Sequence, residues 1–157
     1  MKQIIRTRWF QITAAVVCTI GIVYGLVYVD VVSRAREAYI EGEKYWAWHY
    51  NPNDKKLYLE EKLKDELAEI EQKFSKKKID KNQYEQEVQI AQFNFQESLK
   101  ESSIKYAYVW YQTAVELFTP PESKWVKLCR EKMPVAKEMW KAELRAKNIP
   151  FEDYMLE

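Results

Sequence analysis

The sequence predicts an all-α protein: a single N-terminal transmembrane helix, then a long helical hairpin, then a C-terminal helix. Three observations carry this. Only three glycines and five prolines occur in 157 residues, too few for the turns of a β-sandwich or for a glycine-rich phosphate loop. One early run is apolar over the thickness of a bilayer. The remainder is charged, long between breakers and patterned at helical spacing. Length suits an anchor plus one small domain. The chain accordingly divides into a basic flank at 1–8, an anchor at 9–32 and a helical soluble domain at 33–157.

The anchor comes first. Lys2, Arg6 and Arg8 precede an aromatic pair, Trp9 and Phe10. Ile12 to Val32 are 21 residues with one charge, Asp30. A helix of that length covers about 31 Å, the thickness of a hydrocarbon core. Eleven of the 21 are Ile, Val or Leu, which together favour insertion by roughly 3–7 kcal/mol. Asp30 sits at the end of the run, where its carboxylate reaches the interface. Ser33-Arg34-Ala35 resembles a cleavage site, but a cleaved signal has an apolar region of only about 7–15 residues, so an uncleaved signal-anchor is expected. Lys and Arg tie across the two flanks, Lys2, Arg6 and Arg8 against Arg34, Arg36 and Lys44. The denser N-terminal cluster points to a cytoplasmic N terminus and an extracytoplasmic body. Gly21 and Gly25 have the small-xxx-small spacing of a helix-packing face, and a lipid-facing role fits them equally.

Past the anchor no breaker occurs until Asn51-Pro52, so a helix ending near Tyr50 is expected. Asn53 or Asp54 is the expected cap of the next one. Leu59, Leu63, Leu67, Ile70 and Phe74 then form a helical stripe with a charged back. Lys76, Lys77 and Lys78 lie where the negative end of a helix dipole favours cations. Asp80 is the expected cap of the return helix, with Gln83 completing a capping box. From Lys81 to Phe118 there is neither Gly nor Pro, which allows one helix of about 57 Å. Its first half carries Tyr84, Val88, Ala91, Phe95 and Leu99 on a narrow stripe, and its second half is apolar nearly all round. The hairpin thus spans 54–118.

C-terminal helices follow at 120–149. Thr119 is the expected cap, Pro120 the first helical residue and Glu122 the capping-box return. Trp125, Leu128, Cys129, Met133, Ala136, Trp140 and Leu144 share one approximate face. Pro134 is expected to kink or split the helix after Met133. Phe151, Tyr154 and Met155 are the residues through which the tail would dock.

Aromatic residues make up 15% of the chain, including six Trp and eleven Tyr. They concentrate in Tyr45-Trp46-Ala47-Trp48-His49-Tyr50. As a helix these side chains sweep an arc of about 200°, against roughly 100° for a single packing partner. An antiparallel hairpin about Asp80 would bring the second aromatic run, 106–118, to the same turn. Internal core, a docking surface and a small-ligand contact are the three readings. The partner-binding candidates are Tyr45, Trp46, Trp48, His49, Tyr50, Tyr108, Trp110, Tyr111 and Trp125.

No catalytic, cofactor or metal site is expected. His49 is the single histidine, which rules out zinc sites built from three or more histidines or from two, and a ferritin-like pair of Glu-x-x-His motifs. Cys18 and Cys129 have no nucleophile signature around them and are too far apart in the chain to suggest a bridge. Paired carboxylates such as Asp65 and Glu69 are ordinary on a charged helix. A net charge of +1 offers no basic field for nucleic acid. Residues 111–121 and 136–150 resemble the second helix of tetratricopeptide repeats, an alanine-and-aromatic helix ending in proline. The first-helix pattern is missing and the closing prolines stand 29 or 30 residues apart where that repeat needs about 34, so the likeness is that of helix pairs in general.

The expectation is a non-catalytic, single-pass accessory, structural or assembly subunit. Its anchor would meet membrane lipid at 9–32, and its body would bind the other subunits of a membrane complex. The alternatives are a cofactor-proximal subunit of a redox or transport complex, with His49 and its neighbouring rings touching a group held by another chain, and a homo-oligomer assembled through the 59–74 stripe.

Overall fold

The computed structural model describes residues 2–156, with side chains from Trp9 onward; the side chains of Lys2, Arg6 and Arg8 lie outside the described residues. Five α-helices and one short 3-10 turn account for the order of elements, and no strand occurs among the described residues.

Helix α1 runs unbroken from Lys2 to Tyr50, about 74 Å at standard rise. It has two characters. From Trp9 to Asp30 its side chains are exposed, whereas Ala35, Ala38 and Gly42 are buried. Those three small residues fall at helical spacing on one face and let a neighbour approach closely. The neighbour is α4, Ser103–Leu117, antiparallel to α1 and contributing Ile104, Ala107, Tyr108, Tyr111 and Ala114 to the core. Helix α5, Lys124–Ala146, closes the bundle with Val126, Cys129 and Ala136.

Helices α2, Pro52–Ser75, and α3, Lys81–Lys100, form the expected hairpin. Ile70 and Ala91 are buried between them, and Phe74 meets Tyr84 with ring centroids 4.8 Å apart. The Asp80 capping box is complete: its carboxylate accepts from the Gln83 backbone at 2.8 Å, and the Gln83 side chain accepts from the Asp80 amide at 3.1 Å. This hairpin is an arm about 36 Å long by its 24-residue strut α2. At its base Lys55 is buried, and its ammonium donates to the carbonyls of Leu99 at 3.4 Å and Glu101 at 2.7 Å.

Five expectations are corrected. The helix expected to run from Lys81 to Phe118 breaks at Glu101-Ser102. Lys55 satisfies the carbonyls that end α3, and the Ser102 hydroxyl accepts from the Lys105 amide at 3.2 Å to start α4, so the break needs no glycine. Helix α5 starts at Lys124 with Ser123 as cap, not at Thr119 and Pro120. Thr119 and Pro120 each precede a proline, which drives both from helical conformation; both of those X-Pro bonds are cis. Pro134 neither ends nor divides α5: it is exposed, so the Arg130 carbonyl that loses a donor can turn to water. Asn51, rather than Asn53 or Asp54, occupies the cap of α2, with Pro52 at the first helical position. The tail docks through Leu156 and half-buried Phe151, leaving Tyr154 and Met155 exposed.

Candidate functional site

The last two turns of α1 carry rings on two sides, and each side has its own partner. On one, Trp46 faces α4 and α5, with its centroid 6.2 Å from Tyr111. Tyr111 is fully buried, and its hydroxyl donates to Glu43 at 2.6 Å. The same carboxylate takes the Lys132 ammonium at 2.6 Å on both oxygens. Lys132 in turn lies 5.4 Å from the Trp46 ring and 5.8 Å from Tyr39. A cation, a carboxylate and a phenol therefore satisfy one another at the three-helix junction, which is what burial of polar groups requires. Burial, then the hydrogen bond to Glu43, holds Tyr111 far above the usual tyrosine range. Burial, reinforced by Glu43, pushes the Cys129 thiol up to about 11, the environment of an inert cysteine.

The other side faces α2 and the first turn of α4. Tyr45 stacks on Tyr106 at 5.2 Å and meets Trp48 edge-on at 5.0 Å; Trp48 meets Tyr58 at 5.1 Å. These rings wall a cleft of about 150 Å³. Lys44 already fills its cationic place, with Nζ 5.2, 5.3 and 5.5 Å from the centroids of Tyr45, Trp48 and Tyr58, and it also pairs with Glu41. An aromatic cage that holds the chain's own ammonium fastens α2 to α1. Burial, then a hydrogen bond to Glu101, pushes the Tyr106 hydroxyl up to about 12, and burial lowers the Lys55 ammonium.

The wide arc is therefore taken up mainly by two internal neighbours. Of the nine candidates, Tyr45, Trp46, Trp48, Tyr108, Trp110 and Tyr111 lie in or against this core. Tyr108 donates its hydroxyl to the Leu156 carbonyl at 2.9 Å and lies 5.7 Å from Trp140. His49 is half-buried and edge-on to Tyr50 at 5.4 Å, and Tyr50 is exposed. Trp110 and Trp125 face away from that turn, towards the first packed turns of α1. Trp110 lines an open groove of about 410 Å³ with Arg34, Ala38, Ile40 and Phe118. Trp125 lies 5.5 Å from Tyr39, between Arg36 at 5.9 Å and Lys124 at 4.4 Å. Among the described residues no group of three His, Cys, Asp or Glu side chains is placed to hold a metal ion.

Sequence reasoning passed over Gly42, Glu43, Lys44 and Lys132, which hold the junction together. Gly42 did leave a signal. It is the single glycine beyond the apolar run, and a glycine inside a helix usually marks a close approach.

The arm carries a different kind of surface. Ile90 and Phe93 are 58% and 64% exposed, and Phe93 lines a groove of about 460 Å³ with Leu63, Phe95 and Gln96.

Comparison with family models, with curated proteins and with solved structures gave no match. Fold and site define a class all the same: an all-helical chain with an aromatic junction, in which one N-terminal helix is long and apolar enough to cross a membrane.

Proposed function

We propose that this is a single-pass membrane protein whose body docks partner proteins of a membrane complex without catalysing a reaction. Residues 9–32 cross the bilayer, the N terminus is cytoplasmic and the body is extracytoplasmic. One observation carries the proposal: α1 is uncovered from Trp9 to Asp30 and continues without a break into the packed face that begins at Ala35. Large side chains such as Ile12, Val17, Ile22 and Leu26 are more than 60% exposed along it. A chain in water rarely leaves so long an apolar surface bare, and lipid is the solvent that covers it. The unbroken helix also couples anchor and body as one rod.

Docking is supported by the arm. A two-helix hairpin buries only its inner seam, and here Ile90 and Phe93 remain outside it. An amphipathic helix of a partner would add the third member of a small bundle. Extraction in mild detergent, sizing and mass spectrometry test the proposal. The expected result is a particle holding a stoichiometric partner, which the double substitution Ile90→Asp, Phe93→Asp releases while helical content is kept. A lone 18.9 kDa chain in its detergent micelle overturns it.

A further inference from the structure

Building on that proposal, we infer that the end of α4 and the loop joining it to α5 form a collar seated in the lipid headgroup layer, a second contact with the bilayer beside the spanning helix.

The register of α1 against α4 places it. Tyr45 stacks on Tyr106, and Gly42 and Tyr39 lie against Tyr111. As numbers fall along α1 they rise along α4. The same antiparallel course brings Phe118 to Arg34 and Ala38, with which it shares the Trp110 groove. Arg34 stands two residues past Val32, about 3 Å along the helix axis. The interfacial layer on each side of a hydrocarbon core is about 5–7 Å deep. A body held at this register lowers residues 117–121 into that layer.

What the collar presents suits the place. Leu117 is 70% exposed and Pro120 is exposed beside it. Trp125 stands between the Arg36 guanidinium and the Lys124 ammonium, an amphipathic ring with cationic flanks of the sort that collects at headgroups. The nearby acids are mostly engaged: Asp30 with Arg34 at 2.8 Å, Glu122 with Arg130, and Glu116 with Gln112 at 2.8 Å, while Glu37 lines the groove beside Phe118. With cations and acids balanced, apolar insertion of Leu117 and its neighbours supplies the attraction. The occupant of this face is the bilayer surface.

Nitroxide labels test this in the full chain, in a Cys18→Ala background with buried Cys129 retained. Leu117→Cys, Val23→Cys and Phe93→Cys are labelled singly and reconstituted into phosphatidylcholine–phosphatidylglycerol vesicles. Collision with oxygen is compared with collision with a water-soluble nickel chelate. Label 117 is expected to show an oxygen-to-nickel ratio several-fold above label 93 and below label 23. If label 117 matches label 93 while label 23 is lipid-like, the collar is wrong and the anchor stands. If label 23 is itself aqueous, the anchor fails and the collar with it.

Discussion

At Gly42 a missing side chain sets how closely α1 and α4 approach. A Cβ built there would lie 2.7 Å from Cδ1 of Tyr111 and closer still to Cε1, and the Tyr111 hydroxyl is held in place by its hydrogen bond to Glu43. Alanine would improve helix propensity by about 1 kcal/mol, but crowding in a packed core costs about 1–3 kcal/mol. Gly42→Ala should therefore lower the thermal midpoint of the detergent-solubilised chain by a few degrees; a rise would show that the two helices are not packed at this distance. Tyrosine ionisation reads the same junction. For Tyr106 and Tyr111 the folded pKa lies above the unfolded value of about 10, with Tyr106 at about 12 and Tyr111 higher. Below pH 10 both contributions to stability are complete; that of Tyr106 is lost as pH rises from there through 12, and that of Tyr111 goes on falling above it. In an alkaline absorbance titration the last tyrosines should ionise only as helical dichroism collapses. Smooth ionisation of all eleven near pH 10, with the helices intact, would contradict the buried placement.

At the scale of elements, the parts governed by neighbours in sequence were readable and the parts governed by neighbours in space were not. The apolar run, the Leu59 to Phe74 stripe and the Asp80 box are local patterns, and each forms as its residues dictate. The break at Glu101-Ser102 depends on a lysine 46 residues away, so a stretch without glycine or proline looked continuous. Ser102 left the fainter trace, a good cap residue ahead of an apolar run. Its hydroxyl caps α4 and donates to Glu143 at 2.6 Å, and Ser102→Ala should destabilise the chain by about 1–2 kcal/mol. An unchanged denaturation midpoint would mean that the joint is held some other way. Pro134 misled for the opposite reason. Packing of Val126, Cys129 and Ala136 on both sides of it holds α5 together, outweighing a local preference. An exposed mid-helix proline still carries its penalty, so Pro134→Ala should stabilise by about 1–3 kcal/mol. A loss of stability would indicate that the proline makes a contact of its own.

For the whole molecule, the candidate site was legible as composition before it was legible as geometry. Counting rings identified Tyr45 to Tyr50 and the run around Tyr108 and Tyr111 as one meeting place, and the structure brings them together. It gives them mainly to the interior. Trp125 meets Tyr39 instead, because α5 runs past the earlier turns of α1, and Trp110 packs against the core from the side of the Arg34 to Phe118 groove. Ile90 and Phe93 on the arm and Leu117 at the end of α4 are left open at separate places on the body. An anchored chain with those two faces would keep one contact for lipid and one for protein.

Everything in this account follows from the bilayer holding Ile12 to Val32. Washing isolated membranes with high salt and then alkaline carbonate, followed by intact mass measurement of the pellet and the supernatant, asks that question directly. The account predicts the full 18.9 kDa chain in the pellet after both washes. The chain released into the salt wash, lacking its first thirty-odd residues, would contradict it.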